Sequence, residues 1–120
     1  MEDPFKEFLE ETVMTAEKTP VCLEVMNGPE DGRVSPLKEE VTLIGRDDKC
    51  KIIFRTDKAI SRVHCQLTMQ GDGVFLLEDL KSTYGTELNG VRLEPGVSAP
   101  CKDGDMILIG DTQLILHAEQ

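Results

Sequence analysis

Arg46, Ser61, Arg62, Thr83 and Tyr84 are the side chains of this sequence best suited to holding an anion. An arginine presents a planar fork of N–H donors that matches two oxygens of a carboxylate or phosphate at once, and serine and threonine hydroxyls can satisfy further oxygens. Each of the five falls in an irregular stretch. Arg46 follows Gly45 at the end of the apolar run VTLIG, Ser61 and Arg62 precede the alternating run VHCQLTM, and Thr83 and Tyr84 occupy the tight STYGT loop. If these loops meet at one end of a β-structure, they present guanidinium and hydroxyl groups together. Taken alone, Arg46 reads more readily as the partner of Asp47 or Asp48 in a surface ion pair.

The distribution of charge sharpens the question. The chain has a formal net charge of −10, yet residues 45–62 hold six cations (Arg46, Lys49, Lys51, Arg55, Lys58 and Arg62) against three aspartates. So acidic a molecule repels a nucleic-acid backbone at long range, and no nucleic-acid partner is expected. No apolar stretch approaches the ~20 residues of a membrane span, and the acidic start MEDPFKEFLEE is unlike a secretory signal; a cytoplasmic chain with no membrane contact is expected.

Enzyme chemistry finds little support. Ser61 and His64 lie near one another, but neither a nucleophile-elbow context nor a third group completes a triad. A phosphate-cradling GxxxxGK is absent. Cys22, Cys50, Cys65 and Cys101 are far apart with no ligand-like spacing, so reduced, mostly buried thiols are expected, with no metal and no cofactor. DGD at 103–105 lacks the alternating oxygen ligands of a calcium loop and reads as a turn.

The elements that must position the loops are strands. VCLEVM, VTLIG, VHCQLTM, VFLLEDL, MILIG and TQLILH are short Val/Ile/Leu-rich runs bounded by glycine or charge, with turn signals at NGPEDG, QGDG, YG and NG. About nine to eleven such strands suggest one all-β domain over 20–118, built from two antiparallel sheets packed face to face as a sandwich. Residues 1–19 form a separate N-terminal extension. Phe5, Phe8, Leu9 and Val13 recur at helical spacing, so a short amphipathic helix and a solvated acidic tail are both open readings.

Taken in order, Gly45-Arg46, Ser61-Arg62-Val63-His64, Asp79-Leu80, Ser82-Thr83-Tyr84-Gly85-Thr86, Asn89-Gly90 and Asp103-Gly104-Asp105 closely resemble the motif series of the forkhead-associated (FHA) domain, over residues 21–117. Each dipeptide is uninformative; the ordered set is specific. The resemblance implies an eleven-stranded FHA/SMAD-like β-sandwich that binds phosphothreonine peptides through loops at one end and is not an enzyme. It places Arg46 and Ser61 on the phosphate, Arg62 on phosphate or peptide backbone, and Thr83 beside the phosphothreonine. It makes His64 a brace between loops, with Gly45, Gly85, Asn89 and Gly90 as turn positions. The family usually has asparagine where this chain has Tyr84, and one phenolic hydroxyl cannot reproduce a two-sided amide contact. The implied role is a monomeric reader in serine/threonine kinase signalling whose partner is a phosphorylated kinase substrate. The alternative is a scaffold module that binds an unphosphorylated protein surface.

Overall fold

A computed structural model describes residues 21–118; the N-terminal extension and the helix reading of its apolar spacing lie outside the described residues. Eleven strands follow in chain order: β1 Cys22–Val25, β2 Val34–Pro36, β3 Val41–Gly45, β4 Ile52–Ile53, β5 Cys65–Gly71, β6 Val74–Asp79, β7 Thr86–Leu88, β8 Val91–Arg92, β9 Ala99–Cys101, β10 Met106–Ile109 and β11 Thr112–His117. They form a six-stranded sheet, β2-β1-β11-β10-β7-β8, and a five-stranded sheet, β4-β3-β5-β6-β9. The two-sheet all-β architecture expected from the sequence is therefore present.

Alternation drives the layering. In a strand successive side chains point to opposite faces, so one face of each run is buried. On β6 the inward positions are Phe75, Leu77 and Asp79; on β5 they are Cys65 and Leu67. All of these but Asp79 join Ile107, Ile109, Leu114 and Leu116 of the other sheet, with Leu23, Ile44, Phe54 and Ile60, in one contiguous apolar core. A Leu→Ala change at such a position costs about 2–5 kcal/mol through lost burial and the cavity left behind.

Three details differ from the sequence reading. The stretch from Arg46 to Arg62 is not wholly irregular, because Ile52 and Ile53 form β4. This strand pairs in parallel with β3, so its sheet is not antiparallel throughout. A second strand that the pattern did not reveal, β9, carries Pro100 and lies at a sheet edge, where a missing N–H donor is tolerated. All four cysteines are free and buried, as expected.

Turn chemistry follows the residues available. Asn89 and Gly90 both have positive φ, 51° and 83°, which matches the two-residue hairpin that registers Leu88 against Val91. At the open side of the sandwich, Arg33 ties one sheet to the other: its Nη1 donates to Glu30 Oε1 at 2.7 Å and to the Ile53 carbonyl at 2.8 Å. Its guanidinium also lies 4.7 Å from the centroid of the Phe54 ring.

Candidate functional site

Gly45 ends β3 where two loops come into contact. The Arg46 N–H donates to the Ser61 carbonyl at 3.1 Å and the Asp47 N–H to the Arg62 carbonyl at 3.0 Å, so residues 46–47 run beside residues 61–62. A Cβ on Gly45 would lie 2.2 Å from the Arg62 carbonyl oxygen, closer than any side-chain carbon can be. Glycine is required here by proximity, since no positive φ is involved.

Ser61 joins a third loop to these two. The Thr83 N–H donates to Ser61 Oγ at 2.9 Å, and the two hydroxyl oxygens are 3.5 Å apart. Arg46 Nε donates to the Ile60 carbonyl. That bond uses one edge of the guanidinium and leaves both Nη groups without a protein partner among the described residues. Arg46, Asp47, Lys49, Ser61, Arg62, Val63 and Thr83 line one open cleft of about 580 Å³. Three cations and one carboxylate therefore face it, in a molecule that is otherwise strongly acidic.

His64 holds the cleft loops from beneath and is fully buried. The Ser61 N–H donates to His64 Nδ1 at 3.0 Å, and Nε2 lies 2.9 Å from the Gly85 carbonyl. Because an amide N–H only donates and a carbonyl only accepts, the ring must be neutral with its proton on Nε2. Burial pushes its pKa below the ordinary 6.5, outweighing the opposite pull of the Gly85 bond and of the Asp79 and Asp57 charges. One imidazole thus spans the Ser61 loop and the Thr83 loop.

The Thr83 loop has its own anchor. Asp79 is the last inward position of β6, so its carboxylate is carried into the protein and must be satisfied there. Ser82 Oγ donates to Asp79 Oδ1 at 2.6 Å, the Ser82 N–H to Oδ2 at 3.1 Å, and Thr86 Oγ1 to Oδ1 at 2.7 Å. Burial favours the neutral acid, but these donors outweigh it and hold the carboxyl below its usual range. Ser82 Oγ then accepts the Gly85 N–H at 2.8 Å, closing the turn. Gly85 has φ 89°, and a Cβ there would meet the Arg92 guanidinium at 2.8 Å.

Asp57 anchors the Ser61 loop to the other sheet. Its carboxylate accepts from Ala59 N–H at 2.9 Å, Asp111 N–H at 2.7 Å and Thr112 Oγ1 at 2.7 Å. Neither Asp57 nor the Asp79–Ser82–Thr86 network was assigned a role from the sequence. The Asp-x-x-Ser spacing at 79–82 is the one signal that hinted at the second, since it suits a side-chain-to-backbone turn.

Four of the five expected contact residues, Arg46, Ser61, Arg62 and Thr83, come together around the cleft. Tyr84 does not line it. Its ring is 66% exposed and borders a neighbouring groove with Lys58, Ala59, Gly110 and Asp111. Lys49 and Asp47 line the cleft without having been expected there. Gly45, His64 and Gly85 are buried beneath the loops, whereas Asn89 and Gly90 sit in the exposed β7–β8 turn, where Asn89 Oδ1 accepts the Met106 N–H at 2.9 Å. Among the described residues, no cluster of three His, Cys, Asp or Glu side chains is placed to hold a metal. No helix among the same residues is long and apolar enough to cross a membrane.

Comparison with known proteins matches this arrangement to a family. The family model described as the FHA domain matches residues 42–110. The FHA domain-containing protein FhaB of Mycobacterium tuberculosis is 35% identical over 95 residues, covering 79% of this chain and 59% of FhaB. Nibrin of Danio rerio is 38% identical over 68 residues, or 57% of this chain and 8% of nibrin. The chain therefore spans less than two thirds of the length of either relative. A solved structure concerned with phosphothreonine-dependent FHA domain interactions superimposes with a TM-score of 0.74 and 31% identity, covering 85% of this chain and 99% of that one. With a family match over more than half its length and the same two-sheet fold, the chain belongs to the FHA domain family.

Proposed function

We propose that this chain is a non-catalytic reader of phosphothreonine, which recruits a protein phosphorylated by a serine/threonine kinase. The observation that carries the reading is the convergence of Arg46, Ser61 and Thr83 on one cleft, with the Nη groups of Arg46 uncommitted among the described residues. The phosphothreonine-dependent interactions of the similar solved structure support it. In this reading Arg46 and Ser61 hold the phosphate, Arg62 adds charge, and Thr83 contacts the phosphothreonine. The protein acts as a monomer in the cytoplasm, and no bond is made or broken.

Charge-assisted hydrogen bonds contribute about 1.5–3 kcal/mol each, so three or four supply roughly 5–12 kcal/mol before the cost of association, and contacts to the flanking peptide must add to them to reach the roughly 8 kcal/mol of a micromolar complex. Calorimetric titration with a phosphothreonine peptide and its unphosphorylated twin tests the proposal. The phosphopeptide should bind at micromolar affinity, the twin should not bind, and Arg46→Ala should weaken binding about 10- to 100-fold. Equal binding of both peptides, unaffected by Arg46→Ala, would instead favour the scaffold alternative.

A further inference from the structure

Lys49 lines the cleft, yet the phosphate-holding set proposed above does not use it. The hydrogen bonds between the loops lay the cleft out in order. Thr83 bonds to Ser61, and Ser61 lies opposite Arg46. Next, Arg62 lies opposite Asp47, and the Arg62 carbonyl also accepts from Cys50 Sγ at 3.2 Å, which puts residues 49–50 beside Arg62. The order along the cleft is therefore Thr83, then Ser61 with Arg46, then Arg62, then Lys49, so Arg62 lies between the phosphate-holding set and Lys49.

Among the described residues neither Lys49 nor Arg62 forms an ion pair, whereas the nearby Arg55 is paired with Asp48 and Lys51 with Glu39. Asp47, the one carboxylate in the lining, already accepts the Lys49 N–H at 2.9 Å. That bond fixes the turn carrying Lys49 and leaves its ammonium uncommitted. The volume supports the same reading. A cleft of about 580 Å³ exceeds a phosphate group, whose five heavy atoms displace only a few water volumes of about 30 Å³ each.

Resting on the phosphothreonine reading, we propose that Lys49, with Arg62, forms a second anion subsite that selects an acidic group on a residue flanking the phosphothreonine. The shared chemistry is an anionic oxygen cluster, supplied either by a glutamate or aspartate side chain or by a second phosphate. Lys49 is a specificity residue here. An ammonium is a mobile point charge that tolerates either source, where a second arginine fork would favour one fixed geometry. Both partners are solvent-exposed, so the selectivity is modest and screened by salt.

The test is a panel of phosphothreonine peptides in which one flanking position at a time carries alanine, glutamate or phosphoserine, titrated by fluorescence anisotropy at low and high salt. At one flanking position, glutamate should bind about three- to fivefold tighter than alanine at low salt, and phosphoserine tighter still. Lys49→Ala should collapse that ratio towards one, and Lys49→Glu should invert it. The double-mutant comparison isolates the Lys49–acid coupling from any general change in affinity. Thermal unfolding of each variant confirms that the exposed substitution leaves the fold intact. A ratio near one at every position while phosphate-dependent binding persists would overturn this inference alone, as would a ratio that survives Lys49→Ala. Loss of all phosphate-dependent binding by the unmodified protein would overturn the phosphothreonine reading, and the subsite with it.

Discussion

Replacing His64 should unlatch the cleft, and the size of the effect follows from its two bonds. The imidazole is buried and accepts the Ser61 N–H while donating to the Gly85 carbonyl. Each bond contributes about 1 kcal/mol net, and a buried polar partner stranded by its removal costs about 1–3 kcal/mol more. Gly85 is buried and Ser61 half-buried, so only the second can recover a water easily. His64→Ala should therefore cost about 3–5 kcal/mol, a large share of the 5–15 kcal/mol typical of a domain. His64→Phe keeps a ring in place but loses both bonds, which separates the polar contribution from packing. Urea unfolding followed by circular dichroism gives the stabilities, and peptide titration gives the accompanying loss of affinity.

Acid should mimic the mutation. A proton on Nδ1 would face the Ser61 N–H donor to donor, and the folded-state pKa is lowered by burial. Between the folded value and the unfolded value near 6.5 the unfolded chain binds more protons, so stability is full above that pH and declines as pH falls toward the folded value. His64→Phe should abolish this limb. A cost below about 1 kcal/mol for His64→Ala, with the acid limb unchanged and binding intact, would refute the latch.

Other consequences are as direct. Gly45→Ala puts a methyl 2.2 Å from the Arg62 carbonyl oxygen, so it should cost about 1–3 kcal/mol in urea unfolding and push the Arg46 and Ser61 loops apart, reducing peptide affinity. Asp79→Asn leaves an amide facing the Ser82 and Thr86 donors and should destabilise the protein by about 1–3 kcal/mol. Because the Asp79 pKa is lowered, its contribution is present above the unfolded value of 3.8 and lost as pH falls through the folded value; acid titration of the variant should lack that loss. Burial pushes the Cys101 thiol up to about 12 and the Cys65 thiol also upward, so iodoacetamide should label neither at neutral pH until urea unfolds the chain. A phosphoserine peptide should bind about fourfold more weakly than its phosphothreonine twin in the same titration, from the one lost methyl.

How much of this was legible depended on how locally each feature is encoded. Runs such as VTLIG and TQLILH read as strands because they are short, rich in Val, Ile and Leu and bounded by glycine or charge, and β3 and β11 fall on those residues. Residues Ile52 and Ile53 are too few to show a period, and their parallel pairing with β3 depends on tertiary placement, so β4 was hidden within a charged link. The arginine and hydroxyls of the cleft stood out as chemistry stranded in loops, although only the ordered motif set distinguished Arg46 from an ordinary surface cation. Asp57 was invisible as an anchor because its partners Asp111 and Thr112 lie far along the chain, and Asp79 showed only in its spacing to Ser82, its bond to Thr86 depending on a turn whose shape the chain alone does not display. Thr83 and Tyr84 are neighbours in a tight loop, yet they border different surface depressions, a divergence that adjacency cannot reveal.

In the proposed reading, three loops together hold one phosphate. A backbone-amide NMR titration with a phosphothreonine peptide tests it most directly. The largest shifts should fall on Arg46, Ser61, Arg62 and Thr83, should be absent with the unphosphorylated peptide, and should disappear in Arg46→Ala. Shifts of equal size with either peptide, or shifts centred on another face while these four amides stay still, would contradict it.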